Sequence, residues 1–319
     1  MAVKELKDSR LKFYKVVCLG NVLVDVLAKP VDRLPKPGSL LPVDRIELSM
    51  GGCASNTAIA LSRLGVRTDL WGKLGRDDFG DYALRQLGRE KVGVSGIRLD
   101  PKVATSATIV VVHSDAQRSF LHSMAANDEI GPGDIRFSAF RGISHLHVGG
   151  YFLFPALDGP RMARILQEAR RRGLTTSLDT AWDLSGRWLK TLKPCLPHLD
   201  YFMPSEREVR MLLGHGHPAR AARIFRKLGA RNVVVKLGEK GSCMFAESGE
   251  EIRVPAFKTK VVDTTGAGDA FCAGFIKGLS LGLDGKGCLK LGNAAGAAAV
   301  TALGATAGVK SLAQIKKYL

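Results

Sequence analysis

The residues most suited to chemistry lie in the run VVDTTGAGDAF, residues 261–271. A β-branched stretch passes into small residues and then directly into an apolar helix pattern. Small residues let the backbone come close to a ligand. The first amides of a helix point outward, and the helix dipole favours negative charge there. Gly266, Ala267 and Gly268 therefore form a candidate anion cradle for a phosphoryl group in transfer. Asp269 stands beside it, where a carboxylate can take the proton of an attacking hydroxyl while the amides stabilise charge on the phosphate. Spacing alone leaves a second reading open, in which Asp269 caps the helix and the glycines turn the chain.

The elements that must hold this run alternate along the chain. Strand patterns cover 15–20 (continuing into 21–25), 69–75, 143–148, 175–178, 201–203 and 232–236. Helix patterns cover 51–65, 79–91, 159–172, 206–213, 219–228, 267–279 and 290–303. Strands separated by single helices predict an α/β fold, a mainly parallel central sheet covered by helices on both faces. Two further pieces have exposed faces and no crossover helix: 45–49, and the hairpin pattern of 108–113 with 119–123. They predict a small β-sheet lid, with elements at about 39–50 and 104–124, inserted in a single α/β domain spanning 1–319. The Pro-rich stretch 29–42 reads as a connection.

Composition narrows the classes. A hydrophobic fraction of 45% and a charged fraction of 24% are those of a globular chain able to bury a core without disulfides. Cys18, Cys53, Cys195, Cys243, Cys272 and Cys288 show neither a C-x-x-C pair nor zinc-ligand spacing, which predicts free thiols in a cytoplasmic protein. The charged start MAVKELKDSRLK is no secretory signal, and no apolar run is long enough for a membrane span. Lys and Arg number 47 against 30 Asp and Glu, but the basic residues are dispersed over helix faces. That argues against nucleic acid as a partner and for a positive field that attracts an anionic nucleotide. There is no Walker A sequence and no Gly-rich dinucleotide fingerprint after the first strand, which excludes those two nucleotide folds.

The 261–271 run resembles the second signature of the ribokinase-like (PfkB) carbohydrate kinases, D-T-x-G-A-G-D, which holds the anion hole and the catalytic Asp. GGCASN at 51–56, followed by Ala58 and Gly65, is similar to the first signature. Over roughly 15–310 the order and spacing agree with that family. The resemblance implies a ribokinase-like fold and ATP-dependent phosphorylation of a sugar or polyol hydroxyl. It implies Asp269 as base, Gly266, Ala267 and Gly268 as anion hole, and Asp25, Gly51, Gly52 and Asn56 around the substrate. It implies Lys236, Gly238, Gly241, Thr264 and Asn293 around the nucleotide, with Glu208 placing Mg2+ indirectly. Asp263, Thr265 and the backbone around Gly304 correspond to the monovalent-cation (K+) site of potassium-activated members. Lid strands in this family often pair between subunits, so a homodimer is implied as well. Asp25, Asn56 and Lys236 also have plainer readings as turn, helix-face and surface residues. Arg118 and Asn127 are further candidates on the lid side, with solvation of a loop edge as the competing explanation.

Four departures qualify the resemblance. The family's N-x-x-E motif is Ser205-Glu206-Arg207-Glu208 here, which predicts altered metal use and weakens any expectation of phosphate activation. Leu23 replaces an Asn that ribose kinases carry, and 179–183 (DTAWD) lacks the Asn and Arg of sugar-acid kinases; both argue against those acceptors. A Ser of ribokinases is Gly308 here. Two alternatives stay open: a nucleoside kinase of the same superfamily, and a non-catalytic ligand-binding protein on the same fold.

Overall fold

The structure, a computed structural model, describes residues 14–115 and 117–319. The charged start of the chain, read above as no secretory signal, lies outside the described residues. The first half runs β1 (Lys15–Gly20), β2 (Leu23–Lys29), β3 (Arg45–Gly51), α1 (Cys53–Arg63), β4 (Arg67–Gly75), α2 (Asp78–Arg89) and β5 (Gly93–Asp100). Then come β6 (Ala107–Val112), β7 (Arg118–Ser123), β8 (His145–Tyr151), α3 (Pro160–Arg171), β9 (Thr175–Thr180), α4 (Trp188–Leu192) and β10 (Tyr201–Phe202). The remainder is α5 (Glu206–Leu213), α6 (Pro218–Lys227), β11 (Asn232–Lys236), β12 (Ser242–Phe245), β13 (Glu251–Val254), α7 (Ala267–Ser280), α8 (Gly285–Ala299) and α9 (Leu312–Lys316).

Nine strands form the large sheet, in the order β13-β12-β11-β10-β9-β8-β1-β4-β5. Pairing is parallel from β5 through β11, and antiparallel only at β11–β12 and β12–β13. Val16, Val17, Cys18 and Leu19 of β1 are fully buried, because helices cover both faces of a parallel sheet. One apolar cluster packs α3 and α6 on one face; another packs α1, α2, α7 and α8 on the other. From β1 the chain builds outward through β4 and β5, then returns to the other side of β1 at β8. Strand order therefore reverses between β1 and β8, and the crevice at their carboxyl ends is where such folds bind ligands.

The smaller sheet has the order β3-β2-β6-β7 and contains the strands expected for a lid. Register assigns its two faces, since side chains alternate along each strand. Asp25, Thr108 and His122 lie in one row across it, with Arg118 and Val112 further along the same face. Leu48, Val26, Ile109 and Leu121 form a row on the opposite face, where Leu48, Ile109 and Leu121 are exposed.

Elements absent from the sequence reading have weak patterns for physical reasons. β5 (GVSGIRLD) is an edge strand whose glycines make room for neighbours: a Cβ on Gly96 would strike the Trp71 ring. β12 and β13 are a short edge hairpin of four residues each. α8 begins at Gly285, five residues earlier than expected, because Asp284 caps it by accepting from Gly287 N–H at 2.7 Å. Its glycines obscure the helix pattern but permit close packing: a Cβ on Gly292 would lie 2.8 Å from the Phe271 ring.

Candidate active site

The site grows from the amino ends of α1 and α7, which lie side by side at the strand-order reversal. Gly51 and Gly52 lead into α1. Gly52 has φ 96°, a conformation glycine takes without penalty, and a Cβ there would lie 2.5 Å from the Asn21 carbonyl. Asn21 in turn accepts from Cys53 N–H at 3.0 Å, which fixes the first turn of α1. A Cβ on Gly51 would lie 2.5 Å from Asp25 Oδ2, so only glycine leaves that carboxylate in place.

Gly266, with φ 74°, caps α7; any side chain there would collide with the Ala305 carbonyl. The Ala267 amide donates to the Thr264 carbonyl at 3.2 Å. Among the described residues the Gly266 and Gly268 amides have no protein acceptor, which leaves them free for an anion. Asp269 occupies the first turn of α7 and is buried. Asn56 Nδ2 donates to Asp269 Oδ2 at 2.9 Å. Asn56 Oδ1 is buried without a partner among the described residues.

Burial, reinforced by the charge of Asp179, pushes the Asp269 carboxyl up to about 7, against the opposing pull of Asn56, Lys236 and Cys53. An acid held near neutrality is matched to proton transfer at ordinary pH. Asp25 is likewise raised to about 6 by burial, with Thr108 and Arg118 opposing.

Lys236 is not a surface charge. It is half-buried at the end of β11, its side chain 11% exposed, paired with Asp179 at the end of β9, and stands 3.4 Å from where a Cβ on Gly268 would be. Burial alone would lower its affinity for a proton, but Asp179, with Glu208 behind it, outweighs that and holds the ammonium charged. Glu208 Oε2 accepts from Ser205 N–H at 2.7 Å and from the Thr180 hydroxyl at 3.0 Å. Ser205-Glu206-Arg207-Glu208 thus folds as a reciprocal cap on α5. Asp179, Glu208 and Asp269 set three carboxyls around the single ammonium of Lys236. Among the described residues they form no cluster that would hold a metal ion directly, so their oxygens suit a hydrated divalent cation such as Mg2+, held through waters.

A cleft of about 720 Å³ opens beside the cradle. Lys236, Gly238, Gly241, Thr264 and Asn293, the five residues expected around a nucleotide, all line it. Asn293 also donates to the Val254 and Pro255 carbonyls at 3.0 Å, tying α8 to the end of β13. Phe257 and Lys258 line the cleft too and carry no sequence signal that separates them from other loop residues.

Arg118 and Asn127 are not solvated loop-edge residues. Asn127 is 1% exposed and accepts from Val22 N–H at 3.2 Å. Arg118 reaches from the smaller sheet to Asp263 and Thr265, joining both through its guanidinium. The sequence reading named Asp179 only for what its surroundings lack, and it overlooked Thr108 and His122. The one available signal for Asp179 was its position at the carboxyl end of a buried parallel strand.

The family model for pfkB family carbohydrate kinases matches residues 14–312. The chain is 30% identical over 293 residues to 2-dehydro-3-deoxygluconokinase of Bacillus subtilis, covering 88% of this chain and 90% of that protein. Arabidopsis thaliana ribokinase complexed with ribose and ATP superposes with a TM-score of 0.84 at 25% identity, covering 96% of this chain and 98% of the other. A candidate ribokinase II from E. coli, in complex with ATP and Mg2+, gives a TM-score of 0.82 at 26% identity over the same shares.

Proposed function

The chain belongs to the pfkB family of carbohydrate kinases, and on that footing we propose ATP as its phosphoryl donor and a hydroxyl of a small sugar or polyol as its acceptor. It is a phosphotransferase with an alcohol group as acceptor. The observation that carries the finer reading is the position of Asp269. The residues just before it line the cleft, its own carboxyl is bonded to Asn56 on the opposite side, and its proton affinity is set near neutrality.

ATP lies in the 720 Å³ cleft with its terminal phosphate toward Gly266 and Gly268. The acceptor is held by Asp25 and by the unpartnered Asn56 Oδ1. Asp269 takes the hydroxyl proton as the oxygen attacks the γ-phosphorus in line, and the bond to the ADP oxygen breaks. The free amides stabilise charge on the transferring group. Lys236, kept cationic by Asp179, adds a fixed positive charge beside it. Asp179 and Glu208 are the residues that would hold the waters of a Mg2+ ion, which would offset phosphate charge. The smaller sheet acts as the lid, excluding water that would otherwise accept the phosphoryl group. Its exposed outer row Leu48, Ile109 and Leu121 supports a homodimer joined there.

The relatives point to different acceptors by name, a sugar acid in one case and ribose in another, while Leu23 and the 179–183 segment depart from both patterns. The test is ADP release with MgATP against neutral pentoses and hexoses, polyols, keto-deoxy sugar acids and nucleosides, with the product phosphate assigned by 31P NMR. A neutral sugar or polyol phosphorylated at one hydroxyl is the expected result. Turnover confined to a sugar acid or a nucleoside would overturn the acceptor class proposed.

A further inference from the structure

The family resemblance sets a monovalent cation, potassium, between Asp263, Thr265 and the backbone near Gly304, and the residues present do not fit one. Asp263 Oδ1 accepts from Thr265 N–H at 2.9 Å, and Oδ2 accepts from Gly304 N–H at 2.6 Å. Arg118 donates to the same Oδ2 through one arm of its guanidinium and to Thr265 Oγ1 through the other. The pair is largely withdrawn from water, with side-chain exposures of 10% for Arg118 and 4% for Asp263. A full positive charge therefore already neutralises the only carboxylate of the set, and a metal cation there would meet a guanidinium at contact range.

The far side of the site is closed as well. The Thr306 and Val309 carbonyls, on the loop that would wrap the ion, both accept from Arg63, whose guanidinium is fixed in turn by Glu90. Gly308, where ribokinases carry Ser, has no room for a side chain, since a Cβ would strike the Ala298 and Ala299 carbonyls.

We propose that the Arg118 guanidinium takes the place of the monovalent cation in this chain. Asp263 begins the loop that ends in the Gly266–Gly268 cradle, so neutralising and bracing Asp263 holds the cradle in shape. Arg118 opens β7, a strand of the smaller sheet, whereas Asp263 and Thr265 lead into α7 beneath the large sheet. The charge that steadies the cradle is thus delivered by the lid, and the cradle is complete only while the lid is seated.

The inference rests on the phosphotransfer reading, but its decisive measurement does not. Thermal unfolding of the full chain is recorded in KCl, NaCl and tetramethylammonium chloride at equal ionic strength, for the wild type, Arg118→Ala and Arg118→Lys. Initial rates of ADP release with an acceptor identified as above are taken in parallel. The wild type is expected to unfold at one temperature in all three salts and to turn over at rates within about twofold. Arg118→Ala is expected to lose at least about tenfold in rate and to gain a potassium-specific rise in both Tm and rate, with the emptied site now open to the ion. Arg118→Lys keeps the charge without the forked geometry and is expected to fall between them, still indifferent to potassium. A potassium-specific rise in the wild-type Tm would overturn the proposal, as would an Arg118→Ala variant of full rate in every salt. Should Arg118→Ala not fold, the wild type and Arg118→Lys decide. Absence of turnover with every acceptor would count against the phosphotransfer reading alone, and the unfolding data would still decide what occupies the site.

Discussion

Asn56 Nδ2 stands 2.9 Å from Asp269 Oδ2, a hydrogen bond between residues 213 positions apart in the chain. It joins the first turn of α1 to the first turn of α7, so the two glycine-led helix starts act as one site. It also gives Asn56 a task beyond holding an acceptor, because a donor at this carboxyl favours its ionised form.

Replacing Asn56 by Ala removes that donor, and burial then raises the Asp269 carboxyl above about 7. The acid limb of kcat/KM is expected to move to higher pH, and kcat at pH 7 to fall by about 10- to 100-fold, the worth of a hydrogen bond to a charged group. A pH–rate profile of Asn56→Ala checks both. A reduced rate with an unmoved acid limb would confine Asn56 to acceptor contact.

Gly51→Ala places a Cβ 2.5 Å from Asp25 Oδ2 and must displace that carboxylate. The acceptor KM is expected to rise by about 10- to 100-fold, in line with the cost of misplacing a contact by an ångström. The ATP KM should stay within about twofold, because the cleft lies on the other side of Asp269. Steady-state kinetics with each substrate varied in turn separate the two.

Lys236→Met leaves Asp179 buried without its partner, which costs about 3–5 kcal/mol of folding stability. Adding Asp179→Asn in that background should recover a large part of the loss, since no buried charge is then stranded. Urea unfolding of the two single variants and the double variant measures the coupling. Independent, additive losses would remove the ion pair from the account.

His145 and His147 share the Ser177 hydroxyl, at 2.7 and 2.9 Å, deep in the large sheet. Burial lowers His145 to about 3 and His147 in the same direction. Below pH ~6.5 the unfolded chain gains protons that these folded histidines refuse, so stability present above ~6.5 is lost as pH falls toward 3. Each contributes at most about 1.4 kcal/mol per pH unit through that window. His147→Gln, which cannot titrate, is expected to flatten the fall in Tm between pH 7 and 5; an unchanged slope would contradict this.

How far these features were legible in the sequence depends on how local their causes are. The D-T-T-G-A-G-D run and the GGCASN run carry their geometry in small residues next to helix starts, so the Gly266 turn, the helix-start carboxylate of Asp269 and the Gly51–Gly52 turn could all be read directly. The alternation of buried strands and amphipathic helices likewise made the large sheet readable. Edge strands such as β5 and β13 were not, because half their residues face water and the pattern that marks a buried strand is absent. Asp179 escaped notice because it matters only once β9 and β11 lie side by side and Lys236 reaches it. Arg118 was named only as a lid-side candidate competing with loop-edge solvation, because its partners are 145 and 147 positions away and nothing near Arg118 announces them. Ser205 in place of Asn was read for altered metal use; locally it forms a reciprocal helix cap with Glu208.

The central claim is that Asp269 is the base for phosphoryl transfer to an acceptor hydroxyl. Its most direct test is the rate of phosphoryl transfer by Asp269→Asn with the acceptor identified for the wild type, alongside the Kd for ATP. The account predicts a loss of about 10²- to 10⁴-fold in kcat with ATP affinity within about twofold. A variant that phosphorylates the acceptor at close to the wild-type rate would contradict it.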